Sequence, residues 1–159
     1  MSGSPLTKRE LLASPANFMA LGGGLGLAPK APGTFGTLLG IPLLLLMPVN
    51  LWAYLGCVVV LFAVGVWCCD VCAKDLGVHD HPGIVWDEVV GYLITMMAVP
   101  RTLWWILAGF IAFRIFDIFK PWPISWVDRQ VEGGMGIMLD DVLAALFAVV
   151  VMQIGLALI

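Results

Sequence analysis

The chain has 159 residues, of which 61% are hydrophobic and 12% charged, and its mean hydropathy is +1.00. A soluble domain is typically about half apolar and about a quarter charged, so this composition excludes an ordinary water-soluble globule and favours a membrane protein. The net charge is −3 and there is no basic stripe, which argues against a nucleic-acid partner. We expect a single all-α domain over residues 1–159.

The N-terminal part of the chain predicts a surface segment followed by a loop. Residues 1–21 mix apolar and charged side chains, a pattern typical of a helix that lies in the membrane interface. Residues 22–34 contain too much glycine and proline for a stable helix and predict a loop. We expect Thr34 to be the N-cap of the helix that follows.

Hydrophobic segments make up most of the remaining chain, 35–159, and predict a polytopic membrane bundle of about four to five helices. The segments are 35–47, 51–69, 83–99, 103–119 and 137–158. As a helix, the first would rise only about 20 Å, so we expect it to be a partial or tilted span. Polar or turn-forming stretches separate the segments.

Charged residues are distributed unevenly between the two sides that this topology implies. If the N-terminus is cytoplasmic and all five segments cross, only Arg101 among the basic residues falls on the far side. This distribution is what the positive-inside rule expects. The acidic residues also lie at or near the cytoplasmic side, which the rule does not require. The basic residues on that side are Lys8, Arg9, Lys30, Lys74, Arg114, Lys120 and Arg129.

Several charged residues interrupt the hydrophobic segments, where an unpaired ion costs several kcal/mol and is therefore a functional candidate. If the helix ends converge, their carboxylates form an oxygen-only site that suits Mg²⁺ or Mn²⁺, and their cations suit phosphate oxygens. The residues are Asp87 and Glu88 in the third segment, Arg114, Asp117 and Lys120 on one face of the fourth, and Asp140 and Asp141 in the expected first turn of the last.

Each of these charges also has a structural explanation. Carboxylates in the first turn of the last helix would complement the helix dipole. Asp117 would pair with Arg114 or Lys120, and Asp87 with Lys74. So many ionisable groups in so apolar a chain favour the functional interpretation.

Other polar features give weaker signals. His79 and His81 lie in a polar connection beside Asp80, and we expect them to be solvated or supporting. The amides of the glycine-rich loop, with Thr34, can cradle a phosphate at a helix start, or the loop can simply pack tightly under the bilayer surface.

Four blocks of the sequence, in order, resemble those of bacterial phosphatidylglycerophosphatase A. Residues 84–91 resemble its I-V-x-D-E-x-x-G block, and residues 113–124 its F-R-x-x-D-x-x-K-P-x-P-I block. Residues 31–37, APGTFGT, resemble its N-terminal loop, and residues 133–141 its final G-I-M-x-D-D block. The resemblance covers the chain from about residue 20 to 150.

This resemblance implies Mg²⁺-dependent removal of the terminal phosphate from phosphatidylglycerophosphate, which gives phosphatidylglycerol. The resemblance also implies the bacterial inner membrane as the location. The hydrophobic segments and the charge distribution predict a multi-pass protein whose site faces the cytoplasm. Ala145 stands where many relatives carry glycine, and we expect only a local packing change there.

The charged cluster and the resemblance together give the expected site. Its catalytic residues are Asp87, Asp117 and Asp141. Its metal ligands are Asp87, Glu88, Asp117, Asp140 and Asp141. Its substrate-binding residues are Thr34, Lys74, Arg114 and Lys120.

The motifs of other phosphatases are missing. The chain lacks the blocks of histidine-nucleophile lipid phosphatases, the D-x-D-x-[TV] motif of soluble aspartyl-phosphate phosphatases and the signature of CDP-alcohol phosphotransferases. Attack by a metal-activated water and attack by an aspartate both stay open. We favour water because the cluster offers many oxygen ligands and no distinct nucleophile.

Two other classes of protein explain parts of the sequence. An ion-coupled transporter would use the buried carboxylates to relay protons or bind a cation, but transporter sites lie near the bilayer midplane. The carboxylates here are expected near helix ends on one side. A non-enzymatic membrane scaffold would explain the apolar residues and leave the acidic cluster without a reason.

Overall fold

A computed structural model describes residues 5–159, and within this range the chain is helical and contains no strand. The all-α prediction is confirmed, although the first four residues of the predicted interfacial segment 1–21 lie outside the described range. A 3₁₀ helix, Gly22–Leu27, connects the second and third α-helices. The α-helices are α1 (Lys8–Ala13), α2 (Pro15–Ala20), α3 (Pro32–Leu46), α4 (Leu51–Leu76), α5 (Trp86–Thr95), α6 (Leu103–Phe119), α7 (Ile124–Gln130) and α8 (Gly133–Ala157).

The short helix α5 forms the centre of the bundle. It packs against α3, α4, α6 and α8, and all of its residues except Glu88 are buried. A helix enclosed by neighbours must be apolar around its circumference, which explains why 83–99 is hydrophobic apart from Asp87 and Glu88. Two tyrosine hydroxyls tie α5 to its neighbours: Tyr92 donates to the Ile106 carbonyl at 3.0 Å, and Tyr54 donates to the Leu93 carbonyl at 2.5 Å.

Two helices, α4 and α8, are long and apolar enough to cross a bilayer, with 26 and 25 residues. Helices α3, α5 and α6 have 15, 10 and 17 residues. These lengths rise about 22, 15 and 26 Å, short of a hydrocarbon core about 30 Å thick. The prediction of four to five membrane helices is therefore not confirmed beyond α4 and α8.

The N-terminal region differs from the prediction in three places. The segment predicted to be interfacial forms two helices that are separated at Ser14. The predicted loop 22–34 contains the 3₁₀ helix Gly22–Leu27 and the first residues of α3. Thr34 is not the N-cap of α3, because the helix starts at Pro32 and Ala31 is the N-cap. Proline is favoured at the first position of a helix, where its fixed φ is already helical and its missing N–H is not needed.

The last helix starts earlier than predicted, at Gly133 rather than at residue 137. Asp140 and Asp141 therefore lie two turns inside α8 and not in its first turn. The helix-dipole explanation for these two carboxylates is wrong, since that effect is confined to the first turn.

The early start of α8 allows a close crossing with α4. A Cβ atom on Gly134 would lie 1.9 Å from the Val66 carbonyl oxygen, so only glycine fits there. The Gly134 amide also donates to Asp70 Oδ1 at 3.2 Å. Small residues let membrane helices approach to backbone contact, and this crossing fixes the depth of α8 beside α4.

Gly134→Ala is expected to destabilise the protein by about 1–3 kcal/mol, because the new methyl group must push α8 away from α4. Gly56→Ala is the matched control, since a Cβ at Gly56 in α4 meets no atom within 4 Å. Thermal unfolding in detergent measures both variants. An unchanged melting temperature for Gly134→Ala would contradict the tight crossing.

Candidate active site

A cavity of about 340 Å³ opens at the end of the bundle where charged residues gather. Its walls are the start of α3, the loop between α4 and α5, the first turn of α5, the end of α6 and the third turn of α8. The charged residues that line it are Asp80, Asp87, Glu88, Arg114, Asp117, Lys120, Asp140 and Asp141.

Three carboxylates in this cavity face one another. Asp87 and Glu88 in α5 and Asp141 in α8 each offer one oxygen, and the three oxygens lie within 4.8 Å of one another. Asp87 Oδ1, Glu88 Oε2 and Asp141 Oδ2 are buried without a hydrogen-bond partner among residues 5–159. Buried carboxylates this close repel each other unless a cation or shared protons lie between them.

The start of α3 closes one side of this group. A Cβ atom on Gly33 would lie 2.7 Å from Glu88 Oε1 and 3.1 Å from Arg114 Nη1. Glycine at this position therefore lets the α3 backbone approach both side chains. Three residues of the predicted loop 22–34 line the cavity, and they are Ala31, Pro32 and Gly33.

Two cations, Arg114 and Lys120, line the same cavity, and both have acidic partners. Arg114 pairs with Asp117, one turn further along α6. Lys120 Nζ lies 2.5 Å from Asp140 Oδ2 and 3.1 Å from Asp128 Oδ1. Burial by itself lowers the pKa of Lys120, but the attraction of Asp140 and the hydrogen bonds to both carboxylates outweigh it and raise the pKa above its usual range. Lys120 is therefore positively charged at neutral pH.

The five predicted metal ligands thus separate into two groups. Asp87, Glu88 and Asp141 form the unpaired group, whereas Asp117 and Asp140 are engaged by Arg114 and Lys120. All of them line the same cavity, as do two of the predicted substrate-binding residues, Arg114 and Lys120.

Two other predicted binding residues lie elsewhere. Lys74 Nζ pairs with Asp70 Oδ2 at 2.7 Å on the surface of α4, so the expected pair between Lys74 and Asp87 is wrong, and Lys74 does not line the cavity. Thr34 follows the cavity-lining residues of α3 but is not one of them. Its backbone amide donates to the Ala31 carbonyl at 3.0 Å as part of the first turn.

Asp80 and His81 also line the cavity, whereas the sequence predicted only a solvated or supporting role for His81 and none for Asp80. Their loop is held over the site by a hydrogen bond of 2.8 Å from the Val85 amide to the Ala20 carbonyl. The only signal in the sequence was the position of this polar pair just before the helix that carries Asp87 and Glu88.

A family model and two relatives identify the same family. The family model described as phosphatidylglycerophosphatase A matches residues 18–156. A protein of Escherichia coli (strain K12) named phosphatidylglycerophosphatase A is 49% identical over 142 residues, which cover 88% of this chain and 83% of the relative. A protein of Haemophilus influenzae with the same name is 48% identical over 153 residues, which cover 93% and 92%. No solved structure matches. The chain belongs to the phosphatidylglycerophosphatase A family.

Proposed function

We propose that this protein removes the terminal phosphate of phosphatidylglycerophosphate and releases phosphatidylglycerol. The observation that carries the proposal is the cavity that three unpaired carboxylates and two cations line together. Membership of the family and the names of the two relatives support this substrate. The apolar exterior fits a lipid that presents its phosphate at the membrane surface.

We propose Mg²⁺ as the cofactor, held by Asp87, Glu88 and Asp141. Each of these carboxylates has a buried oxygen that lacks a partner within the described chain, and oxygen ligands are those that Mg²⁺ prefers. A bound Mg²⁺ would supply positive charge that neutralises the phosphate and polarises its phosphorus–oxygen bonds.

Arg114 and Lys120 are proposed to bind the phosphate oxygens. The planar guanidinium presents a fork of N–H donors, and the ammonium presents a compact charge. In our proposal Asp117 orients the first cation and Asp140 the second, with help from Asp128. Because Asp117 and Asp140 are engaged in this way, we favour attack on phosphorus by water over attack by either aspartate.

We further propose that the chain crosses the inner membrane several times and that the cavity opens to the cytoplasm. Helices α4 and α8 would cross fully, and α3, α5 and α6 would enter beside them. Large apolar side chains are exposed around the bundle, including Leu46, Val60, Ile111 and Val150. The far end carries Arg101, whose guanidinium donates to the Met47 and Pro48 carbonyls at 2.7 and 2.9 Å.

An ion-coupled transporter is the less favoured alternative. Its carboxylates would lie near the middle of the bundle, between broken helices. Here Asp87 and Glu88 lie in the first turn of α5, and Asp117 lies in the last turn of α6.

Protein purified in detergent is expected to release phosphate from phosphatidylglycerophosphate when Mg²⁺ is present and to stop when EDTA removes it. The physical reason is that the unpaired carboxylates repel an anionic phosphate unless a cation lies between them. A colorimetric phosphate assay measures the rate, and added Mg²⁺ should restore it. Full activity in EDTA would contradict the proposed metal site. A separate measurement tests the transporter, which solute counterflow in proteoliposomes without phosphate release would favour.

Asp87→Asn, Glu88→Gln and Asp141→Asn are each expected to lower kcat/KM by about 100-fold or more, because each removes a proposed metal ligand. Without metal, the same changes should leave the melting temperature unchanged or raise it, since they remove repulsion between buried like charges. Asp75→Asn is the control, because Asp75 is exposed and accepts a hydrogen bond from Asn17 outside the cavity. Wild-type rates in all three site variants would refute the assignment.

Lys120→Met is expected to lower kcat/KM by about 10- to 100-fold, because a charged hydrogen bond to the phosphate is lost. It should also lower the melting temperature, since Asp140 is left buried and unpaired. Lys74→Met is the matched control and should keep both values, because Lys74 pairs with Asp70 on the surface. Equal losses in the two variants would mean that the surface lysine also contributes to the site.

A further inference from the structure

We propose that His81 binds the substrate phosphate as a neutral imidazole, with Nε2–H donating to a phosphate oxygen. This inference rests on the proposed function and adds a residue to its binding site. It is carried by the position of His81 in the cavity wall and by the way in which its ring is held.

The ring of His81 is fixed by its own loop. The Gly83 amide donates to His81 Nδ1 at 2.9 Å. A nitrogen that accepts a hydrogen bond carries no proton, so the proton of a neutral ring lies on Nε2. Protonation of Nδ1 would turn a second N–H toward the Gly83 N–H and lose this bond. The contact therefore favours one tautomer of the neutral ring.

The loop itself is anchored on both sides. The Ile84 amide donates to the His81 carbonyl at 2.9 Å and closes the turn. The Gly83 carbonyl packs against the glycine-rich 3₁₀ helix so closely that a Cβ on Gly26 would lie 1.9 Å from its oxygen. Backbone contacts therefore determine where the imidazole lies, which is what a preorganised binding group requires.

The second ring nitrogen is available to a ligand. His81 lines the same cavity as Arg114 and Lys120, and its Nε2 has no hydrogen-bond partner among residues 5–159. The two cations already have acidic partners, so a bound phosphate must share them with those partners. His81 adds a donor that no carboxylate occupies, and a neutral donor does not compete with a cation for Asp87, Glu88 and Asp141.

Two substitutions separate binding by Nε2 from anchoring by Nδ1. His81→Asn keeps an acceptor where Nδ1 lies but has no donor at Nε2, whereas His81→Gln can extend a donor to the position of Nε2. We expect His81→Asn to lower kcat/KM for phosphatidylglycerophosphate by about 10- to 150-fold, the effect of losing one hydrogen bond to a charged group. We expect His81→Gln to stay within about fivefold of the wild type.

His79 is the matched control. Its Nδ1 also accepts a backbone amide hydrogen bond, from Gly133 at 3.3 Å, but it does not line the cavity. His79→Asn should therefore retain wild-type kinetics. A wild-type kcat/KM for His81→Asn would overturn the proposal. Equal losses in His81→Asn and His81→Gln would also overturn it, because they would indicate proton transfer or anchoring rather than donation.

Nuclear magnetic resonance of protein labelled with ¹⁵N-histidine tests the inference without turnover. At neutral pH, His81 is expected as the Nε2–H tautomer, and inorganic phosphate added with Mg²⁺ should shift its Nε2 resonance and not that of His79. An imidazolium, an Nδ1–H tautomer or an unshifted Nε2 would overturn the proposal. A wild-type protein that hydrolyses no phosphatidylglycerophosphate would refute the proposed function, and the phosphate titration would still decide the role of His81.

Discussion

The constraint on which this structure depends is the gathering of three carboxylates, each of which places one oxygen within 4.8 Å of an oxygen of the other two. Like charges at this separation repel strongly in an apolar surrounding, and no chain would gather them without packing that holds them there. Helix α5 provides this packing, because it carries Asp87 and Glu88 and is enclosed by four other helices. The hydroxyls of Tyr54 and Tyr92 fix α5 from two sides. The stability of the bundle therefore offsets the repulsion inside the site.

The third carboxylate depends on a separate contact, the crossing of α4 and α8. Gly134 lets the two backbones meet at Val66, and the crossing sets how deep Asp140 and Asp141 lie. Adjacent residues on a helix point about 100° apart, so the two carboxylates face different partners. Asp141 joins the unpaired group, and Asp140 reaches Lys120 at 2.5 Å. One short helical segment thus contributes both to the proposed metal site and to the proposed phosphate site.

The sequence predicted some parts of this architecture well and others poorly, for physical reasons. The range 103–119 agrees with α6 because an apolar run is bounded there by Thr102 and Lys120. The start of α8 was missed because glycines that serve helix packing look like a loop in sequence. The position of His81 in the cavity is not predictable from sequence, because it comes from long-range contacts of its loop. The predicted substrate-binding role of Lys74 is not supported, because in the fold Lys74 pairs with Asp70, four residues earlier on α4, and lies outside the cavity.

The formal charge of the cavity gives a physical reason for the proposed cation to act together with the substrate. Six acidic and two basic residues line it, so with all groups ionised its charge is −4. A phosphate monoester is itself an anion of charge about −1.5 to −2 at neutral pH. Arg114 and Lys120 cannot overcome this repulsion, because Asp117 and Asp140 already compensate them. A divalent cation held by Asp87, Glu88 and Asp141, as proposed above, would supply the missing positive charge, and in that case the phosphate would bind well only when the cation is present.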